Sequence, residues 1–191
     1  MKSLSIFPEL VWKNKFPGRL DKIITAVEEY KTLPGVHKNN NIGNGALQTY
    51  DTNYYPHEWP VLEEFNKWFA PNLEIVWKNW GLSLLPEQEL RFTSWCNEHS
   101  KGQYTGEHTH PNDIMTVVFY PRKSDNSANL QVFDPLMQVS TSGKFWKDIP
   151  ATSGDVVIIP GWMLHKVAAN ESDEVRLSIT VNISIITKGL E

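Results

Sequence analysis

Two histidines separated by one residue, His108 and His110 in Gly106-Glu107-His108-Thr109-His110-Pro111, are the first chemistry visible in the chain. Alternate residues of a β-strand point to one face, so the pair can offer two imidazoles to a single metal ion. A third comes from another strand, with His165 at the end of Pro160-Gly161-Trp162-Met163-Leu164-His165. Three convergent nitrogens suggest a redox metal site. A bare H-x-H pair would read as two surface histidines near a turn, but the wider pattern argues otherwise. Gly154 and the run Asp155-Val156-Val157-Ile158-Ile159 make a turn and a buried strand, and Pro160-Gly161 makes a second turn that delivers His165. Farther on, Arg176 and Ser178 share a strand face. A guanidinium fork beside a hydroxyl is a natural clamp for a carboxylate.

The elements that must position these groups change character near Pro86. Before it, Leu20, Ile23, Ile24, Val27 and Tyr30 form a helical stripe that ends near Pro34-Gly35. Residues 37 to 53, rich in Asn and Gly, read as a long connection. Val61, Leu62, Phe65, Trp68 and Phe69 predict a second helix, and Leu73, Val76, Trp77 and Trp80 a third that starts after Pro71 and stops at Gly81. Past Pro86, short runs rich in β-branched and aromatic residues predict strands at Leu90–Asn97, Ile114–Tyr120, Asn129–Phe133, Asp155–Ile159 and Glu174–Ile186. In the last of these Arg176, Ser178, Thr180 and Asn182 alternate with aliphatics, so one face packs and the other meets something polar. Several short strands at this spacing predict a sandwich or jelly roll. The expected fold class is mostly β with flanking α-helices, a single domain whose residues 1–86 form a helical support region and whose residues 87–191 form a jelly-roll core with the metal site.

Composition bounds the function classes. A chain of 191 residues can bury a core without disulfides, and a net charge of -4 with a pI near 5.9 argues against a general nucleic-acid surface. Cys96 is the only cysteine, so no intrachain disulfide framework exists and a reducing compartment is expected. No apolar run approaches the roughly 18 residues of a membrane span, and no signal pattern opens the chain; a soluble, cytoplasmic protein is expected. Most of the eight tryptophans read as core and loop anchors, and those on exposed helices would permit a homodimer.

The stretches Trp95-Cys96-Asn97, His108-Thr109-His110-Pro111, Val117-Val118-Phe119-Tyr120, Phe133-Asp134-Pro135, Pro160 to His165, and Arg176-Leu177-Ser178 with Asn182 together resemble the 2-oxoglutarate/Fe(II)-dependent oxygenases, in particular a little-characterised family of bacterial and phage genomes. The resemblance covers residues 95–182 and implies a double-stranded β-helix, in which the early and late histidine strands meet at one barrel mouth. It further implies that His108, His110 and His165 hold Fe(II), and that Arg176 with Ser178 binds the distal carboxylate of 2-oxoglutarate. Asn97 and Tyr120 resemble positions that contact the cosubstrate; for each, a structural hydrogen bond is the alternative. The implied reaction consumes O2, decarboxylates 2-oxoglutarate to succinate and hydroxylates an unidentified prime substrate: a protein side chain, a nucleobase or a small metabolite.

One departure stands out, because His110 occupies the acidic position of the usual 2-His-1-carboxylate triad. Asp113 or Glu107 is the alternative carboxylate, though neither has the spacing, and an all-imidazole site would let zinc or copper compete. A cupin-type dioxygenase without 2-oxoglutarate is the rival enzyme: Gly102, His108 and His110, then Gly154, Pro160 and His165 fit parts of its two motifs. Against it, Ile114 and Met115 stand where its glutamate belongs and Trp162 where a glycine belongs, and Arg176-Leu177-Ser178 has no role. A non-catalytic metal-binding β-sandwich is the third reading. Other residues have bland readings: Cys96 is an inert core thiol, Trp95 is core or substrate-pocket wall, Asp134 is a turn residue, and His37, His57 and His99 are solvated surface. Ligand histidines must be neutral, so metal affinity is expected to fall below roughly pH 6.5.

Overall fold

The computed structural model describes residues 10–134 and 145–189. Its elements are β1 (Trp12–Lys15), α1 (Asp21–Tyr30), β2 (His37–Asn39), β3 (Ala46–Gln48), two 3-10 turns (Pro56–Glu58 and Pro60–Leu62), α2 (Glu63–Asn79), β4 (Gln88–His99), β5 (Thr105–His108), β6 (Met115–Arg122), β7 (Leu130–Phe133), β8 (Trp146–Ile149), β9 (Asp155–Pro160), β10 (His165–Val167) and β11 (Arg176–Thr187). A seven-stranded sheet runs β1-β9-β6-β11-β4-β3-β2 and a four-stranded sheet runs β5-β10-β7-β8, with every strand pair antiparallel. This is the double-stranded β-helix, with helices flanking the larger sheet.

Period-two alternation sorts the central strands into two cores. Met115, Val117 and Phe119 of β6, Val156 and Ile158 of β9, and Leu177, Ile179, Val181 and Ile183 of β11 point outward to the helices, where Ile23, Val27, Phe65 and Val76 meet them. Their alternates Val118, Tyr120, Val157 and Ile159 point inward to Leu130, Val132 and Ile149 of the smaller sheet. With both faces covered, β6 and β9 are buried along nearly their whole length, which is why their sequences read as continuous apolar runs. In β11 the inward positions are Arg176, Ser178, Thr180 and Asn182, all buried, so the polar face is an interior one.

Three expectations need correction. Pro71 does not begin a new helix: α2 runs unbroken from Glu63 to Asn79 with the proline inside. The apolar stripe Phe65, Trp68, Phe69, Leu73, Val76 and Trp80 stays in phase across it, so both halves pack on one sheet face, and Phe65 stacks on Phe119 at 4.3 Å. The amide of Asn72 donates to the Trp68 carbonyl at 2.8 Å and accepts from Asn14 at 2.6 Å, adding local hold beside the proline, which has no N–H to give the helix. The connection from 37 to 53 contains β2 and β3, which extend the larger sheet beyond β4; three-residue strands are too short to display alternation. Finally, β4 continues past Asn97 to His99. Pro135 lies outside the described residues.

Candidate metal centre and carboxylate cradle

His108 closes β5 and His165 opens β10, and the register places them directly opposite each other. Their rings lie 4.2 Å apart between centroids. His110 is not on the strand, as its spacing had led us to expect, but in the turn after it. Its N–H donates to the Gly161 carbonyl at 2.8 Å, and its own carbonyl accepts from Asp113 N–H at 3.0 Å. Gly161 in turn donates to the Ile114 carbonyl at 3.2 Å, so the turn carrying His110 is sewn to the turn preceding His165. A Cβ at Gly161 would collide with the carbonyl oxygens of Asp113 and His110, so this approach requires glycine. One ligand nitrogen from each of the three histidines lies within 4.8 Å of the others.

The imidazoles are prepared for a cation. His108 Nδ1 meets the Gly106 carbonyl at 2.8 Å and His165 Nδ1 meets the Met163 carbonyl at 2.7 Å. A carbonyl only accepts, so each Nδ1 carries the proton and each Nε2 keeps its lone pair for a metal. Burial disfavours the charged ring: His108 is lowered, His110 is lowered to about 4 by burial and the His108 ring, and His165 to about 3 by burial and the same neighbour. The expected loss of affinity near pH 6.5 therefore moves to more acidic pH. No carboxylate joins the cluster among the described residues. Asp113 accepts from Asn182 Nδ2 at 2.6 Å and Ser184 Oγ at 2.5 Å, which anchors the His110 turn to β11, and exposed Glu107 pairs with Lys166 at 3.3 Å. An all-imidazole donor set suits a borderline metal such as Fe(II) and also suits zinc or copper.

Deeper along the same interior face lies an opposite kind of group. Arg176 is 1% exposed, and among the described residues no carboxylate pairs with it. Its Nη1 donates to the Ala128 carbonyl at 2.9 Å, while Nε has no partner among the described residues. Burial alone pulls its pKa down to about 10. The Tyr120 hydroxyl on neighbouring β6 is likewise buried without a partner, its pKa pushed up to about 12. A buried, uncompensated guanidinium costs several kcal/mol, and an orphaned phenol adds to that cost. A bound anion offsets both, and a carboxylate fits the donors. Ser178 is buried on the same face, and Asn97 directly opposite it donates to Thr180 Oγ1 at 3.2 Å.

Residues 93–182 match the family model described as "Putative 2OG-Fe(II) oxygenase". Over this stretch, a little under half of the 191 residues, the chain is similar to the 2-oxoglutarate/Fe(II) oxygenases. No curated protein matches the sequence. Among solved structures, this chain resembles a Pseudomonas putida prolyl-4-hydroxylase (TM-score 0.61, 13% identity, 91% of each chain covered). It also resembles a viral collagen prolyl hydroxylase from Paramecium bursaria Chlorella virus-1 (0.60, 14% identity, 92% of this chain and 96% of that one). A third likeness is to SnoN, an α-ketoglutarate-dependent epimerase from nogalamycin biosynthesis (0.66, 11% identity, 92% and 78%). At such identities the likeness is one of fold.

Sequence reasoning missed part of the barrel interior. His99, read as solvated surface, is 2% exposed; His57 is half-buried, its Nδ1 2.7 Å from Ser94 Oγ. Only His37 of the three is exposed. Strand parity held the missing signal, since Trp95, Asn97 and His99 alternate on one strand and must share a face. Trp95 sits edge-on to Tyr50 at 5.1 Å and 6.0 Å from the His110 ring, forming an aromatic ledge beside the cluster. Cys96 points to the helices, and burial raises its thiol pKa, consistent with an inert core residue. No described helix is long and apolar enough to cross a membrane.

Proposed function

We propose that this chain is a 2-oxoglutarate- and Fe(II)-dependent dioxygenase that hydroxylates its substrate while 2-oxoglutarate is oxidatively decarboxylated to succinate. One observation carries the reading: three metal-competent imidazoles and a buried guanidinium without a counter-ion among the described residues line the same barrel interior. In this reading His108, His110 and His165 hold Fe(II), His108 and His165 through Nε2. Once bound there, iron with O2 and the 2-oxo acid supplies the oxidising chemistry. The protein's own groups do the rest. Arg176 Nε and the Tyr120 hydroxyl donate to the distal carboxylate, with Ser178 beside them, so only one end of the diacid can face the histidines. Asn97, fixed by its bond to Thr180, lines the cosubstrate from the neighbouring strand. Three neutral ligands leave the metal one unit more positive than a 2-His-1-carboxylate set, which favours a dianionic cosubstrate. The walls of Val118, Val157, Ile159 and Met163 keep this interior dry, and the Tyr50–Trp95 ledge borders the side where a prime substrate would enter. A reducing, cytoplasmic setting fits the single buried cysteine.

The test is an anaerobic titration of Fe(II)-loaded protein with 2-oxoglutarate, following the weak visible charge-transfer band of the chelate, with Arg176→Ala alongside. The band saturates in the wild type and needs roughly 100-fold more cosubstrate in the variant, the upper range for losing a hydrogen bond to a charged group. Bound iron without a band overturns the assignment.

A further inference from the structure

His99 is the third buried polar group whose hydrogen bonding is incomplete in the barrel interior. Among the described residues, the buried side-chain atoms with no partner are three: Arg176 Nε, Tyr120 Oη and His99 Nδ1. They come from β11, β6 and β4, which are adjacent in the larger sheet. In the β4–β11 register His99 lies directly opposite Arg176, and residues directly opposite in an antiparallel pair project to the same face. Three orphaned polar atoms on neighbouring strands, each on a residue no more than 2% exposed, mark a cradle whose partner is not among the described residues.

The other ring nitrogen of His99 shows which role it can take. Nε2 lies 2.9 Å from Thr105 Oγ1, on β5 of the smaller sheet, so the imidazole bridges the two sheets at this end of the barrel. A threonine hydroxyl can donate or accept. If it donates to Nε2, the ring proton sits on Nδ1, facing the cradle as a donor. The alternative tautomer would place a lone pair at Nδ1, which repels a carboxylate. Burial and the neighbouring Arg176 charge both disfavour a protonated ring, so His99 adds no second buried cation. Thr105 and His108 lie three residues apart on β5, roughly 10 Å of strand, which separates this cradle from the metal cluster.

We propose that His99 is a specificity-determining residue of the cosubstrate site, donating from Nδ1 to the distal carboxylate that Arg176 and Tyr120 also hold, with Thr105 setting its tautomer. The inference rests on the oxygenase reading above and adds to it a residue that favours a dicarboxylate over a 2-oxo acid with an apolar tail.

Calorimetric titration of Mn(II)-loaded protein tests it, using 2-oxoglutarate and 2-oxopentanoate, the monoacid of equal length. His99→Leu weakens 2-oxoglutarate binding roughly 10- to 100-fold, the range for one hydrogen bond to a charged group, and leaves 2-oxopentanoate unchanged. His99→Asn, whose Nδ2 takes the place of the imidazole Nδ1, restores most of the loss. Equal weakening of both acids, or no weakening, overturns the proposal, as does an asparagine variant no better than leucine. Should the leucine variant not fold, 15N-histidine NMR of the wild-type protein decides. A proton on His99 Nδ1, with a shift on adding 2-oxoglutarate but not 2-oxopentanoate, supports the assignment; a proton on Nε2 in the complex overturns it. Arg176→Ala, run in parallel, separates the two levels. If it too binds 2-oxoglutarate normally, the oxygenase reading falls; if only the His99 variants are silent, the inference falls alone.

Discussion

At one end of the barrel interior, three neutral imidazoles are held by a four-residue strand, a three-residue strand and two turns sewn together through Gly161. At the other, a guanidinium, a phenol and a fourth imidazole project from the long central strands of the larger sheet. The first end offers lone pairs suited to a cation; the second offers donors suited to an anion. Their scaffolds differ accordingly. Metal ligands need nitrogens converging on one point, which turns and a glycine contact can adjust. A carboxylate cradle needs a buried charge that cannot relax toward water, which only a doubly covered sheet provides.

The largest effect should come from removing a ligand at the metal end. His165→Ala is expected to lower Fe(II) affinity by more than roughly 100-fold, beyond the range for outer partners of metal ligands, as read by metal content after gel filtration. Metal retained at wild-type stoichiometry would mean that the cluster is not the site. At the opposite end the fold and the function should separate. Arg176→Met removes a buried charge that has no counter-ion among the described residues, so the ligand-free protein should be more stable by about 1 to 4 kcal/mol while 2-oxoglutarate no longer stabilises it, as followed by chemical denaturation with and without cosubstrate. A variant less stable than wild type would make Arg176 a structural residue and dissolve the contrast.

The most graded effect is that of pH on the metal-free protein. The metal-end histidines are depressed from an unfolded value near 6.5, His110 to about 4 and His165 to about 3. Below pH 6.5 the unfolded chain therefore binds protons that the folded chain refuses, and stability falls as pH drops toward those values. His99, buried at the cradle end, acts in the same direction. Bound metal should leave the upper part of this dependence unchanged and steepen it near pH 4, where it keeps protons off the folded-state ligands. Denaturation midpoints between pH 7 and 4, with and without Mn(II), check it, and a flat profile in the metal-free protein would show that the rings are protonated in place.

Much of this was legible in the residues. The strands β6, β9 and β11 announce themselves through β-branched runs, and alternation in β11 already placed Arg176, Ser178, Thr180 and Asn182 on one face. The three-histidine cluster followed from H-x-H and the Pro160-Gly161 turn. Less legible were the short strands β2, β3 and β8, where three or four residues give alternation nothing to repeat. The continuity of α2 through Pro71 was hidden because packing against Phe119 outweighs a local breaker.

The sequence by itself determined the chemistry available: which side chains can bind a cation, which can bind a carboxylate, and which strand faces carry them, because those follow from residue type and local period. Tertiary structure alone decided that His110 reaches the cluster from a turn by way of Gly161, that Asp113 anchors that turn to β11 and stays out of the three-histidine cluster, and that His99 lies buried across from Arg176. These depend on strand register and close backbone approach between segments far apart in the chain, and no local pattern encodes them.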